Sequence, residues 1–388
     1  MVDRPRGGLL QRAVHTIRGL QEPAPRGRST FGKILAALTD RHNRQQTSVT
    51  LRAAQFQGTD VTDAVQLLGI SNAIVDVLAH VDEAFLKNIG VPRGSMTLID
   101  EQRAREIYDR MGPATEMSGG SVANTIANFA SLGGRAAYIG RVKADQLGEI
   151  FVHDMRALGV DVRLRPSKDG APTARSHILI TPDGQRTMQT YLGACTELSL
   201  SDVTETTLGS PQVMLLEGYV WDIPEGPALI AEAIRIAERK GSRIALSLSD
   251  SFCVERHRQE FLDAVTDGVD IVFADDDEIM ALFETKNFDD VVRTVPRFDK
   301  LFVMTRSEKG SVIVQGGQKI VQQALPVEKV VDTTGAGDAY TAGFLYGLTT
   351  DRPLAECARL GTWCATSIIQ KVGARIEKDA VTAYGQAL

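Results

Sequence analysis

Cysteine is scarce in this chain: four among 388 residues, at Cys195, Cys253, Cys357 and Cys364, with no C-x-x-C spacing. That excludes a disulfide scaffold and a cysteine-built zinc site, and it suits reduced, buried thiols in a cytoplasmic setting. The six histidines form no cluster at ligand spacing either. No apolar run approaches the roughly 18 residues a membrane-spanning helix needs, and no apolar h-region follows the N-terminus. Neither a membrane nor a secretory route is expected.

Hydrophobic residues make up 43% and charged residues 24%, the balance of a globular protein long enough for a large core. The net charge of −6 is unevenly spread. Residues 1–60 hold ten Arg and Lys against four Asp and Glu, leaving 33 against 45 in the remainder. A body that acidic is a poor nucleic-acid binder. Residues 1–62 read as a basic, disordered extension with Pro23 and Pro25 and little periodicity; a transit peptide or a misassigned start are the alternatives. Within them Gly27 to Ile34 nearly matches a phosphate-binding loop, but Ile34 stands where the Mg²⁺-binding hydroxyl belongs and no apolar strand precedes it. The folded domain is expected over 63–388.

The stretch from Val330 to Phe344 carries the chemistry. Val330 and Val331 are expected to end a strand, Gly335, Ala336 and Gly337 to turn the chain, and Phe344, Leu345 and Leu348 to follow at helical spacing. Gly335 to Asp338 then fall where a loop becomes a helix. There the unpaired N–H groups and the positive end of the macrodipole suit a phosphoryl group. The two glycines let the backbone approach that anion, and Asp338 sets a base beside it. An anion cradle next to a base is the minimum for moving a phosphoryl group onto an alcohol.

Elsewhere the chain alternates. The apolar run Val65 to Ile70 reads as a buried strand leading to Asn72 and Asp76, at the strand end where open α/β sheets bind ligands. Met117 to Gly120 reads as a glycine turn opening a helix with Asn124 on one face. Ser176 to Tyr191 reads as a hairpin around Asp183-Gly184. From Val213 onward strand and helix alternate, which argues a parallel, doubly wound sheet. Gly361 to Lys371 reads as a last helix, ended by Gly373-Ala374.

The run Asp332 to Asp338 resembles the C-terminal signature D-T-x-G-A-G-D of the ribokinase-like (PfkB) carbohydrate and nucleoside kinases. Gly119, Gly120 and Asn124, followed by Gly140, Asp145 and Gly148, resemble that family's N-terminal signature. Asn72 and Asp76 resemble the first substrate motif of its adenosine-kinase-like branch, with Ser71 in a slot that is often glycine. The resemblance covers about residues 65–388. It implies a three-layer α/β/α doubly wound, mostly parallel sheet with a small β-sheet lid, its strands within about 74–100 and 172–192.

It also implies roles. Asp338 would be the base, the N–H groups of Gly335, Ala336 and Gly337 the anion hole, and Arg186 a contact to the transferring phosphate. Asn72, Asp76, Gly119, Gly120, Ser121 and Asn124 would hold the substrate. Thr305, Arg306, Gly310, Gly335, Gly337 and Gly373 would hold ATP, with Ser307 in place of a usual glycine. Glu278 and Asp275, the latter where Asn is usual, would serve Mg²⁺ through water, and Asp332 and Thr334 a monovalent cation such as K⁺. The expected reaction moves the ATP γ-phosphoryl group to a primary hydroxyl, adenosine to AMP first. A fructose, ribose or ketodeoxygluconate kinase is the alternative, and a non-catalytic scaffold the outlier. Small molecules are the expected partners, and monomer and homodimer are both open.

Overall fold

The computed structural model describes residues 64–377, 382, 384 and 385. They lie within one compact unit, Ala53–Leu388. The basic extension and its near phosphate-binding loop lie outside the described residues.

Among the described residues fourteen strands carry the fold. The first seven are β1 (Leu67–Ile70), β2 (Ile74–His80), β3 (Met96–Leu98), β4 (Thr115–Gly119), β5 (Ala136–Ile139), β6 (Asp161–Val162) and β7 (Ala174–Ile180). The others are β8 (Arg186–Tyr191), β9 (Val213–Glu217), β10 (Arg243–Ser247), β11 (Ile271–Asp275), β12 (Leu301–Thr305), β13 (Ser311–Gln315) and β14 (Gln318–Gln322). The larger sheet runs β14-β13-β12-β11-β10-β9-β1-β5-β6, with β13 alone running against the other strands.

Its central strands are apolar on both faces because helices cover both. β1 and β5 are buried at every residue, and so is β9, including its terminal glutamate. Each large apolar side chain hidden this way contributes about 1.5–3 kcal/mol. From β1 the chain steps one way, to β5 and β6; from β9 it steps the other way, to β10, β11 and β12. Right-handed crossovers therefore put the two sets of helices on opposite faces. Between β1 and β9 the winding reverses, and such a switch point opens a crevice at the carboxyl ends of the strands.

Over that crevice lies the second sheet, β3-β8-β7-β2-β4. The Asp183-Gly184 turn closes the β7–β8 hairpin, antiparallel as its alternation predicts. Two local expectations change. Thr115–Gly119 is not merely a turn: it is strand β4, antiparallel to β2, and lies outside the expected lid ranges. Val330 and Val331 end no strand; the loop there is irregular, and the Val331 and Asp332 N–H groups donate to the Ile369 carbonyl at the end of the Leu354–Ile368 helix. That helix starts earlier than expected, and both Cys357 and Cys364 pack in the core.

Candidate active site

β1 delivers Ser71 and Asn72, both buried, to the crevice, and β2 then carries Asp76 into the lid. The Asn72 Oδ1 atom is buried without a hydrogen-bond partner among the described residues. Such an orphan costs about 1–3 kcal/mol unless a ligand satisfies it. Gly119 explains how Asp76 fits: a Cβ there would stand 2.3 Å from the Asp76 carboxyl carbon. Gly120 has φ 97° and caps the Ser121–Ser131 helix, and a Cβ on it would meet the Asn72 carbonyl at 2.6 Å. The glycine pair thus makes room for the two candidate substrate residues.

Asp338 is the third residue of the Ala336–Thr349 helix. Its carboxylate accepts from the Ser121 hydroxyl at 2.7 Å and from the Asn124 amide at 3.1 Å. Thr125 Oγ1 donates to its main-chain carbonyl at 3.2 Å. Gly335 caps this helix in the left-handed region, φ 73°, and a Cβ on it would lie 2.5 Å from that of Ala374. A Cβ on Gly337 would meet nothing within 4 Å, so the backbone lies open there to an approaching anion. The Ala336 N–H instead turns back to the Thr333 carbonyl at 3.2 Å.

Burial pushes the Asp338 carboxyl up to about 6, while the Ser121 and Asn124 bonds and the Arg375 charge hold it down. Burial pushes Asp76 to about 7 against the pull of Arg375 and Arg186, with Asp338 adding to the rise. A carboxylate poised near neutrality is what general-base work requires.

Two residues of this site escaped sequence reasoning. Glu217, 1% exposed at the end of β9, accepts from the Val122 N–H at 3.1 Å, and burial pushes it to about 8. A charge closing a buried apolar run was its signal, the same one that picks out Asp76. Arg375 donates to Asn124 Oδ1 and, at 3.0 Å, to Ser118 Oγ. An arginine two residues past a glycine turn gives no such signal, since most are solvated.

Arg186 reaches from the first position of β8 to Asp332, an ion pair with side chains 10% and 3% exposed. The Asp332 carboxylate also accepts from the Thr334 N–H at 3.0 Å and the Gly373 N–H at 2.9 Å. Three donors thus converge on the carboxylate expected, with Thr334, at a K⁺ site. Asp76, Asn124, Arg186, Thr334, Gly373 and Arg375 line one small cleft.

The other expected residues gather at the next strand ends. Asp275 and Thr305 are paired neighbours across β11 and β12. Asp275 caps the Asp276–Leu282 helix, accepting from the Glu278 N–H at 2.8 Å while Glu278 accepts from the Asp275 N–H at 2.9 Å. Arg306 lies 4.0 Å above the Phe288 ring, and Gly310 ends the turn into β13. Among the described residues no group of three or more His, Cys, Asp or Glu could cage a metal. Yet burial pushes Glu278 up to about 8, with Asp275, Asp250 and Asp338 adding to the rise. That uncompensated acid cluster fits a Mg²⁺ ion brought in by ATP phosphates and held through water.

A scan against family models matches the pfkB family carbohydrate kinases over residues 96–380. The chain belongs to the pfkB kinase family. Among solved structures, the adenosine kinase from Sinorhizobium meliloti is 50% identical, with TM-score 0.78, covering 84% of this chain and all of that one. A probable sugar kinase from Rhizobium etli CFN 42 is 45% identical, also with TM-score 0.78, covering 83% and 98%. Adenosine kinase 2 of Arabidopsis thaliana is 24% identical over 332 residues, 79% of this chain and 94% of its own. This pfkB kinase therefore sits in the adenosine-kinase-like branch, has the ribokinase-like fold, and is an ATP-using phosphotransferase acting on a hydroxyl group.

Proposed function

We infer that this kinase transfers the ATP γ-phosphoryl group to the primary hydroxyl of a nucleoside, adenosine first. The observation that carries this is Asp338: a carboxylate poised at about 6, at an open helix N-terminus, held by the amide of Asn124, which lines one cleft with Asp76. Asp338 removes the hydroxyl proton, an effect of typically ~10²–10⁴ in rate. The Gly337 backbone and the helix dipole stabilise the charge on the moving phosphoryl group. Asp76 and the unpartnered Asn72 Oδ1 take ribose hydroxyls. Arg186, on the lid, leaves Asp332 for the transferring phosphate as the lid closes, which excludes water from ATP. Mg²⁺, when bound, neutralises phosphate charge beside Asp275 and Glu278.

A sugar kinase is the second reading, favoured by the 45% identity to a protein described as a probable sugar kinase. Coupled ADP release against adenosine, other nucleosides, fructose, ribose and ketodeoxygluconate separates the two. Turnover on adenosine that collapses in Asp338→Asn is expected. Turnover confined to a free sugar would sink the nucleoside reading.

A further inference from the structure

Arg375 is a cation of the site interior. Its guanidinium donates to Asn124 Oδ1, to the Ser118 carbonyl at 2.5 Å and to Ser118 Oγ at 3.0 Å. The other end of the Asn124 amide donates to Asp338 at 3.1 Å. An amide has one accepting and one donating end, and Arg375 claims the accepting one. Turned the other way, Asn124 would face Arg375 with its NH₂ and Asp338 with its oxygen, and both contacts would become repulsive. We propose that Arg375 is a positioning residue that fixes the Asn124 amide so that its N–H faces the base.

The proposal rests on Asp338 being that base. Arg375 lies 37 residues beyond Asp338 in sequence and 251 beyond Asn124, so no local motif couples the three. The charged and titratable groups facing this trio are Asp76 from β2, Tyr138 from β5, Asp154 from the Gln146–Ala157 helix, Glu217 from β9 and Glu278 from the Asp276–Leu282 helix. All are acids. Arg375 is the cation whose charge reaches both Asp76 and Asp338, and Arg186 adds to it at Asp76.

Two separable consequences follow, one of charge and one of geometry. Losing the charge moves the acidic limb of the pH–rate profile up, because the Arg375 charge holds the Asp338 carboxyl down. Losing the two-sided grip frees the amide to turn, and misplacing a catalytic contact typically costs on the order of 10²-fold.

The test measures kcat, KM and the pH dependence of kcat/KM by ADP release with the best acceptor. It compares wild type, Arg375→Met, Arg375→Lys, Asn124→Ala, the Arg375→Lys/Asn124→Ala double variant and Asp338→Asn. Arg375→Met is expected to lower kcat and move the acidic limb up. Arg375→Lys keeps the charge, so its limb stays near the wild-type position while kcat still falls, and this holds even if Arg375→Met does not fold. In the double variant the losses should be strongly non-additive, because Arg375 acts through Asn124. Full additivity, or a wild-type kcat in Arg375→Lys, would overturn the positioning role. Wild-type turnover in Asp338→Asn would instead overturn the base assignment, a different result on a different variant.

Discussion

At the residue scale the active centre is a set of carboxylates kept out of water, and their protonation should govern activity. Asp338 must be ionised to accept a proton and its value is about 6. kcat/KM should therefore fall as pH drops through about 6. Asp76, raised to about 7, takes ribose hydroxyls best when ionised, so acceptor KM should also rise below about 7. A kcat/KM independent of pH between 5 and 7 would contradict both roles. Gly119→Ala would set a methyl group 2.3 Å from the Asp76 carboxyl carbon. We expect acceptor KM to rise by about tenfold, the ~1.4 kcal/mol of one weakened polar contact, with little change in the KM for ATP.

At the element scale the lid and the anion loop are joined by one buried ion pair, Arg186 with Asp332. Removing one partner of such a pair strands the other, at a cost of about 3–5 kcal/mol. Asp332→Ala should lower the denaturant midpoint accordingly. A variant as stable as wild type would mean that the pair is not closed in solution. The reciprocal cap of Asp275 and Glu278 gives a milder test. Asp275→Ala should destabilise by about 1 kcal/mol, whereas Asp275→Asn keeps a capping oxygen and should retain stability. Thermal melting of the two variants side by side reads the difference.

Across the whole molecule the folded state holds protons that the unfolded chain would release. Burial raises Asp76 to about 7 and Glu217 and Glu278 to about 8, all above ordinary carboxylates. For a raised acid the native state binds more protons than the unfolded one, so stability declines as pH rises toward the folded value. His177 has the opposite sign: burial, aided by Arg175, lowers it to about 4, so it costs stability only below its ordinary value of 6.5. Between pH 6.5 and 8 the carboxylates act unopposed by it. The melting temperature of the ligand-free protein should fall across that window, and Glu217→Gln should flatten the fall. An unchanged slope in that variant would remove Glu217 from the explanation.

How far the site could be read from sequence depends on the range of the force that builds each part. The Asp332–Asp338 loop, the Asp183-Gly184 hairpin and the strand–helix alternation after Val213 were legible because turns, caps and burial periodicity act over a few residues. They determined the fold class and the family, and they singled out Asp338 as the proposed base. Strand β4 was not legible, because Thr115 to Gly119 has no apolar alternation and is held as a strand by pairing with β2. The partner of Asp332 was not legible either: it is Arg186, 146 residues distant in sequence. Arg375 joined the centre for the same reason: what the fold brings around it defines its role, and nothing in its sequence neighbours records that. The sequence alone determined which residues could do chemistry; only the tertiary structure decided which charges face them, because electrostatics in a dry interior follow distance in space.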